Sequence, residues 1–196
     1  MLNIGITGGI GVGKTTVCRI FETLDIPVYY SDDRAKRLMT GNRKVKAAIK
    51  DLFGADAYFR NGRLNRKFIG GQVFENKDLL TSLNGIVHPA VFQDAINWFQ
   101  SQSAPYVLQE AALLVESGRY KMFDKLIVVA APEEVKISRV RKRDRKSRSE
   151  IKSIIDKQLP DQLKIEKADF VIQNDGNQAL IPQVLKIHNI LVSSKI

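Results

Sequence analysis

Leu2-Asn3-Ile4-Gly5-Ile6-Thr7-Gly8-Gly9-Ile10-Gly11-Val12-Gly13-Lys14-Thr15-Thr16 opens the chain. Leu2 to Thr7 reads as a short buried strand. Gly8-x-x-x-x-Gly13-Lys14-Thr15 matches G-x-x-x-x-G-K-[ST] at every fixed position. Val17, Ile20, Phe21 and Leu24 then recur at helical spacing, which predicts a helix from about Lys14 to Leu24. The pattern thus stands where its chemistry needs it, between a strand and a helix start. Gly8, Gly9, Gly11 and Gly13 let the backbone wrap closely around an anion. The loop's N–H groups, that of Val12 among them, are expected to converge on the β-phosphate of ATP. The helix start adds a favourable dipole. Lys14 is expected to bridge the β- and γ-phosphates, Thr15 to bind Mg²⁺ through its hydroxyl, and Thr16 to lie near the α-phosphate.

Beyond this opening, Pro27 to Tyr30 reads as a second strand, and Ser31 or Asp32 caps a helix running to about Met39. From Arg43 to Gln102 the periodicity is mostly helical. One stripe is Val45, Ile49, Leu52 and Phe53; a second is Phe68, Ile69, Val73 and Phe74, after an Asn61-Gly62 turn. Leu79, Leu80, Leu83, Ile86 and Val87 form a third. Pro89 stands where a first helical residue would, ahead of Val91, Phe92, Ala95, Ile96 and Phe99. Strand signals return at Tyr106–Glu110, Leu126–Ala131 and Phe170–Gln173. Helices are expected over about Pro132–Arg143 and Ser149–Gln158, with a final amphipathic helix carrying Leu180 to Leu191. Alternating strands and helices imply a parallel sheet covered on both faces. The expected organisation is an α/β core from 1–31 and 105–196, a helical insertion at 32–104, and a basic lid at 136–160.

The 196 residues are 44% hydrophobic and 27% charged, the balance of a globular unit. The one cysteine, Cys18, leaves no internal disulfide, and its place in the first helix reads as core packing. Leu2–Ile6 is too short an apolar run for a signal peptide, and Leu126–Ala131 too short to span a bilayer. A cytoplasmic protein with no membrane partner is expected. The net charge is +10, and eight basic residues between Lys136 and Arg148, offset only by Asp144, hold +7 of it. A cluster so local suits a polyphosphate as well as a nucleic-acid backbone. The chain lacks the aromatic-interleaved basic stretch of single-strand binders, so no nucleic-acid partner is expected.

The loop alone does not choose the reaction. A switch GTPase needs N-K-x-D after a strand; Glu166-Lys167-Ala168-Asp169 has Glu in place of Asn and precedes a strand. The chain is short for a motor ATPase. A small phosphotransferase with an acceptor domain and an arginine lid is the leading expectation. A nucleic-acid-stimulated ATPase and another nucleoside or nucleotide kinase are the alternatives. Arg139 and Arg143 share a helix face at four-residue spacing, and Arg148 follows a short polar loop. Arginines so placed clamp a transferring phosphoryl group. Arg141, Lys142, Arg145 and Lys146 read as a solvated face.

The chain resembles the dephospho-coenzyme A kinase family over nearly its whole length. The resemblance is carried by Ile4 to Thr16, by Pro27-Val28-x-x-x-Asp32-x-x-Ala35-Lys36, and by Val87-His88-Pro89. Leu113-Leu114-Val115-Glu116-Ser117, Arg139-x-x-x-Arg143-Asp144 with Arg148, and Asn174-Asp175-Gly176 continue it. It implies a P-loop kinase fold: a five-stranded parallel core, a helical coenzyme-binding domain and a lid. It also implies phosphoryl transfer from ATP, with Mg²⁺, to the ribose 3′-hydroxyl of dephospho-coenzyme A. Asp32 is then the group that orients the acceptor hydroxyl and takes its proton, while Asn174 joins the nucleotide site. Two positions depart from the family: Tyr30 replaces the first acid of Asp-x-Asp, and Ala112 replaces the proline before Leu113-Leu114. Glu110 closes a strand, where an acid beside Mg²⁺ and a surface acid are both compatible. By resemblance Arg66 and His88 contact the acceptor; a solvated helix residue and a packed histidine are their plain alternatives.

Overall fold

The computed structural model describes residues 1–193. In chain order the elements are β1 (Leu2–Thr7), α1 (Lys14–Glu22), β2 (Val28–Tyr30), α2 (Ser31–Gly41), α3 (Arg43–Phe53), α4 (Arg66–Glu75) and α5 (Lys77–Gln100). They continue as β3 (Tyr106–Glu110), β4 (Lys125–Ala130), α6 (Glu133–Asp144), α7 (Arg148–Asp156), α8 (Asp161–Ile165), β5 (Phe170–Gln173) and α9 (Leu180–Ser193). The chain divides into two compact units, one of residues 1–29 with those from Gln102 onward, the other Tyr30–Ser101.

The first unit is built on a five-stranded parallel sheet in the order β2-β3-β1-β4-β5. Ile4 lies opposite Leu108 of β3, and Ile6 opposite Ile127 of β4. Every residue of β3 is buried, and Ile4, Ile6, Leu108, Ile127, Val129 and Ile172 are fully enclosed. Such burial on both sides arises because helices cover both faces of a parallel sheet. Tyr106 packs edge-on against Phe21 of α1, and its hydroxyl pairs with His188 Nδ1 of α9 at 2.8 Å. Leu126 and Val128, alternating with these, pack with Leu114, Phe123 and Ile165. There Lys164 of α8, wholly enclosed, places its ammonium 2.7 Å from Glu116. The chain leaves β1 toward β2 and leaves β4 toward β5, on opposite sides. The carboxyl ends of β1 and β4 therefore border the crevice where ligands of open α/β sheets bind.

The expected strands recur within a residue or two. Short α8 was not expected, since five residues carry too little periodicity to register.

In the second unit α2, α3 and α4 pack against α5, burying Val45, Ile49, Ile69, Val87, Val91 and Ala95. Gly62 turns the chain between Phe59 and Arg63, as Asn61-Gly62 predicts. Asn42, Asn65 and Asn76 cap α3, α4 and α5 with their side-chain oxygens. The expectation for Pro89 is corrected: it lies inside the continuous 24-residue α5 instead of opening a helix. Proline removes one backbone bond and crowds the carbonyl four residues back, at a cost of about 3 kcal/mol. Burial of Val87 before it and Val91 and Ala95 after it keeps both halves on one packing face.

Candidate phosphate-binding site

β1 ends in Thr7, and the loop from Gly8 to Gly13 carries the chain into α1 at Lys14. Gly13 holds φ +91, a left-handed conformation that costs any other residue. It also has no room for a side chain, because an added Cβ would lie 2.3 Å from Asn174 Nδ2. No side chain caps α1, in contrast to α3, α4, α5 and α7. Its first N–H groups and its dipole are thus presented to an anion.

Lys14 Nζ donates to the Gly8 carbonyl at 2.9 Å and lies 3.8 Å from Glu110 Oε1 at the end of β3. The ammonium is folded over its own loop, with a carboxylate behind it. Thr15 and Thr16 expose their side chains in the first turn of α1. Thr15 and Glu110 carry hard oxygen donors of the kind Mg²⁺ would take, and Mg²⁺ needs only one or two protein oxygens beside phosphate and water. Among the described residues no three His, Cys, Asp or Glu side chains gather into a metal cluster.

Asn174, just past β5, is nearly buried. Its Nδ2 donates to the Val12 carbonyl at 2.8 Å, and its Oδ1 accepts from Arg139 Nη2 at 3.0 Å. Arg139 Nη1 also approaches the Val12 carbonyl, at 3.4 Å. α6 and the residue after β5 therefore meet at the Val12 carbonyl of the loop, where Asn174, expected at the nucleotide, bonds the loop backbone.

The three lid arginines are not gathered. Arg139 is at the loop, while exposed Arg143 forks onto Asp144 at 2.7 and 2.8 Å. That bond holds the Asp144 carboxyl below the usual carboxylate range. Arg148 makes a bidentate pair with Glu134, one bond at 2.7 Å, and depresses that carboxyl likewise. Arg148 lines a surface depression with Glu134, Ser138, Arg141 and Lys142. In the second unit Asp32 and Asp33 are exposed in the first turn of α2, with Asp33 paired to Lys36 at 2.7 Å. Arg66 opens α4 and His88 lies midway along α5, both exposed.

Sequence inspection missed Gln158, Asp161 and the enclosed Lys136. Gln158 Oε1 accepts from the Ile10 N–H at 2.9 Å, and Lys136 pairs with Asp161 at 2.9 Å. Gln158 stands 148 positions from its partner, so no local pattern announces it. Lys136 was one charge in a basic run.

A family model described as dephospho-CoA kinase, CoaE, matches residues 2–179. The chain belongs to the dephospho-CoA kinase family. A Salinibacter ruber dephospho-CoA kinase is 42% identical over 180 residues, covering 90% of each chain. One from Bacteroides fragilis is 35% identical over 187 residues, covering 95% of this chain and 91% of its own. The solved dephospho-CoA kinase from Campylobacter jejuni superposes with a TM-score of 0.73 at 25% identity, covering 99% of this chain and 98% of its own. No helix among the described residues is long and apolar enough to cross a membrane.

Proposed function

We propose that this chain transfers the γ-phosphoryl group of ATP to the ribose 3′-hydroxyl of dephospho-coenzyme A in the cytoplasm, giving coenzyme A and ADP. The observation that carries this is the complete phosphate loop, with Lys14 folded over it and α1 uncapped, in a chain of the dephospho-CoA kinase family. Lys14 exchanges the Gly8 carbonyl for β- and γ-phosphate oxygens. Thr15 and Glu110 would hold Mg²⁺, which would supply neutralisation of the phosphate charge. Thr16 serves the α-phosphate. Arg139 and Asn174 fix the loop's back; Arg143 and Arg148 reach the transferring group by trading Asp144 and Glu134 for phosphate.

Asp32 follows β2, and ligands of parallel sheets gather at the carboxyl ends of strands. It orients the acceptor hydroxyl and takes its proton as that oxygen bonds to the γ-phosphorus and the bond to the ADP oxygen breaks. The helical unit binds the acceptor through Arg66 and His88. Arg66 and Lys67 lie in the first turn of α4, where the dipole opposes cations, so an anionic ligand would relieve both.

The test is mass spectrometry of reactions with ATP and a panel of acceptors, including the 3′-deoxy analogue of dephospho-coenzyme A. The natural acceptor should gain one phosphoryl group and the analogue none. A phosphorylated analogue would move the reaction to another hydroxyl; turnover with a different acceptor alone would overturn the reading.

A further inference from the structure

The phosphate loop is held by surrounding segments at Ile10 as well as at Val12. Like Ile155 of α7, Ile10 packs against the buried cluster of Ile137 and Val140 of α6 and Ile151 of α7. Its N–H is turned the same way and donates to Gln158 Oε1, in the turn that follows α7, at 2.9 Å. This amide is therefore committed to Gln158. The packing leaves little slack: a Cβ added to Gly9 would lie 3.1 Å from Gln158 Oε1, and one added to Gly11 2.7 Å from the Lys136 carbonyl. Beneath them the enclosed Lys136 ammonium pairs with Asp161 at 2.9 Å, joining α6 to the start of α8.

We propose that Gln158 is a positioning residue for phosphoryl transfer, holding the phosphate loop to the α6–α7 helix pair through the Ile10 N–H. Each part of the linkage is local and stiff. Gln158 is set by its own N–H, which donates to the Ile155 carbonyl at 2.9 Å, and Ile155 packs against the same apolar cluster as Ile10. A displacement of α7 therefore reaches Ile10 by two routes, the amide bond and the isoleucine contacts. Rate falls steeply when the phosphates are misplaced, because positioning supplies much of the catalysis in phosphoryl transfer. The inference rests on the kinase reading above and adds a residue to it.

Gln158→Met keeps the length and volume of the side chain and removes the acceptor; Gln158→Asn withdraws the acceptor by one methylene and stays polar. Steady-state kinetics with both substrates, ATP titration calorimetry and thermal unfolding are measured for each. In whichever variant folds, kcat/KM for ATP should fall about tenfold and the ATP Kd should rise, with KM for dephospho-coenzyme A unchanged. Ile10→Ala should give the same pattern, and combined with Gln158→Met should cost less than the two separate losses together, since both act on one segment. A lowered Tm with wild-type ATP kinetics would make Gln158 merely structural and overturn the proposal, as would equal changes in both KM values. If the wild type does not phosphorylate dephospho-coenzyme A, the kinase reading falls, while the ATP titrations still decide the role of Gln158.

Discussion

Replacing Asn174 by Asp changes one atom and isolates one bond. The amide nitrogen lies 2.8 Å from the Val12 carbonyl oxygen. A carboxylate oxygen there would face that carbonyl with no proton between them. The other oxygen keeps its bond from Arg139 at 3.0 Å and gains charge assistance. A buried acceptor left without its donor costs about 1–3 kcal/mol. Arg139 Nη1, at 3.4 Å from the same carbonyl, is too long a contact to make up the loss. For a chain of this size each kcal/mol moves Tm by about 2–4 °C, so a fall of several degrees is expected. Because Val12 precedes Gly13 and the first turn of α1, KM for ATP should rise about tenfold, corresponding to about 1.4 kcal/mol. Asn174→Ala, which also strips Arg139 of its partner, should be worse on both counts. Differential scanning calorimetry and ATP-dependent kinetics measure these. Wild-type Tm and KM in Asn174→Asp would refute the idea that the amide holds the loop. An Asn174→Ala no worse than Asn174→Asp would show that Arg139 does not need the amide oxygen.

Lys14→Ala should fold, shown by an unchanged circular dichroism spectrum, and lose about 10²–10³ in turnover, the usual effect of removing one transition-state charge partner. Asp32→Asn should cut kcat by roughly 10²-fold with ATP affinity little changed, whereas Asp33→Asn, whose carboxylate pairs with Lys36, should match wild type. Kinetics on the two purified variants decide, and the reverse result would shift the acceptor-activating role by one position. The Glu134 carboxyl is depressed from its ordinary 4.5 by the bond from Arg148, so its tie between α6 and α7 is fully present above that pH and lost as pH falls through the folded value. Glu134→Gln should therefore lower Tm slightly at pH 7, and the gap to wild type should close as the solution is acidified below about 4.5.

The strand–loop–helix opening was legible because its constraints are local: glycines at fixed spacing, then Lys14 and the apolar stripe of α1. The stripe of α3 is local in the same sense; that of α4 is kept only in part, since Ile69 is buried while Phe74 is exposed. Pro89 misled because proline at a helix start and proline inside a packed helix look alike until Val87, Val91 and Ala95 are seen to share a buried face. The strand order is a tertiary choice that no single strand encodes. At the candidate site, Lys14, Thr15 and Asn174 were singled out by motif and resemblance, but what Asn174 touches was not legible, since its partner Val12 lies 162 residues away. The sequence joins Arg148 to Arg139 and Arg143 only because it follows a short polar loop, and does not announce its partner Glu134, fourteen residues before it.

Cys18 bears on a different timescale. Its sulfur is enclosed in α1, and burial, reinforced by the carboxylates of Glu110 and Glu22, pushes the thiol far up from its ordinary range. Only the thiolate attacks an electrophile, so the folded molecule offers a thiol reagent nothing. Labelling must wait for α1 to lift from the sheet, and with a single cysteine in the chain each event reports on that one place. Since α1 starts at the phosphate loop, a nucleotide that binds only the closed form lengthens the wait by the factor 1 + [L]/Kd. A residue with no part in the chemistry thereby becomes a clock that nucleotide occupancy slows.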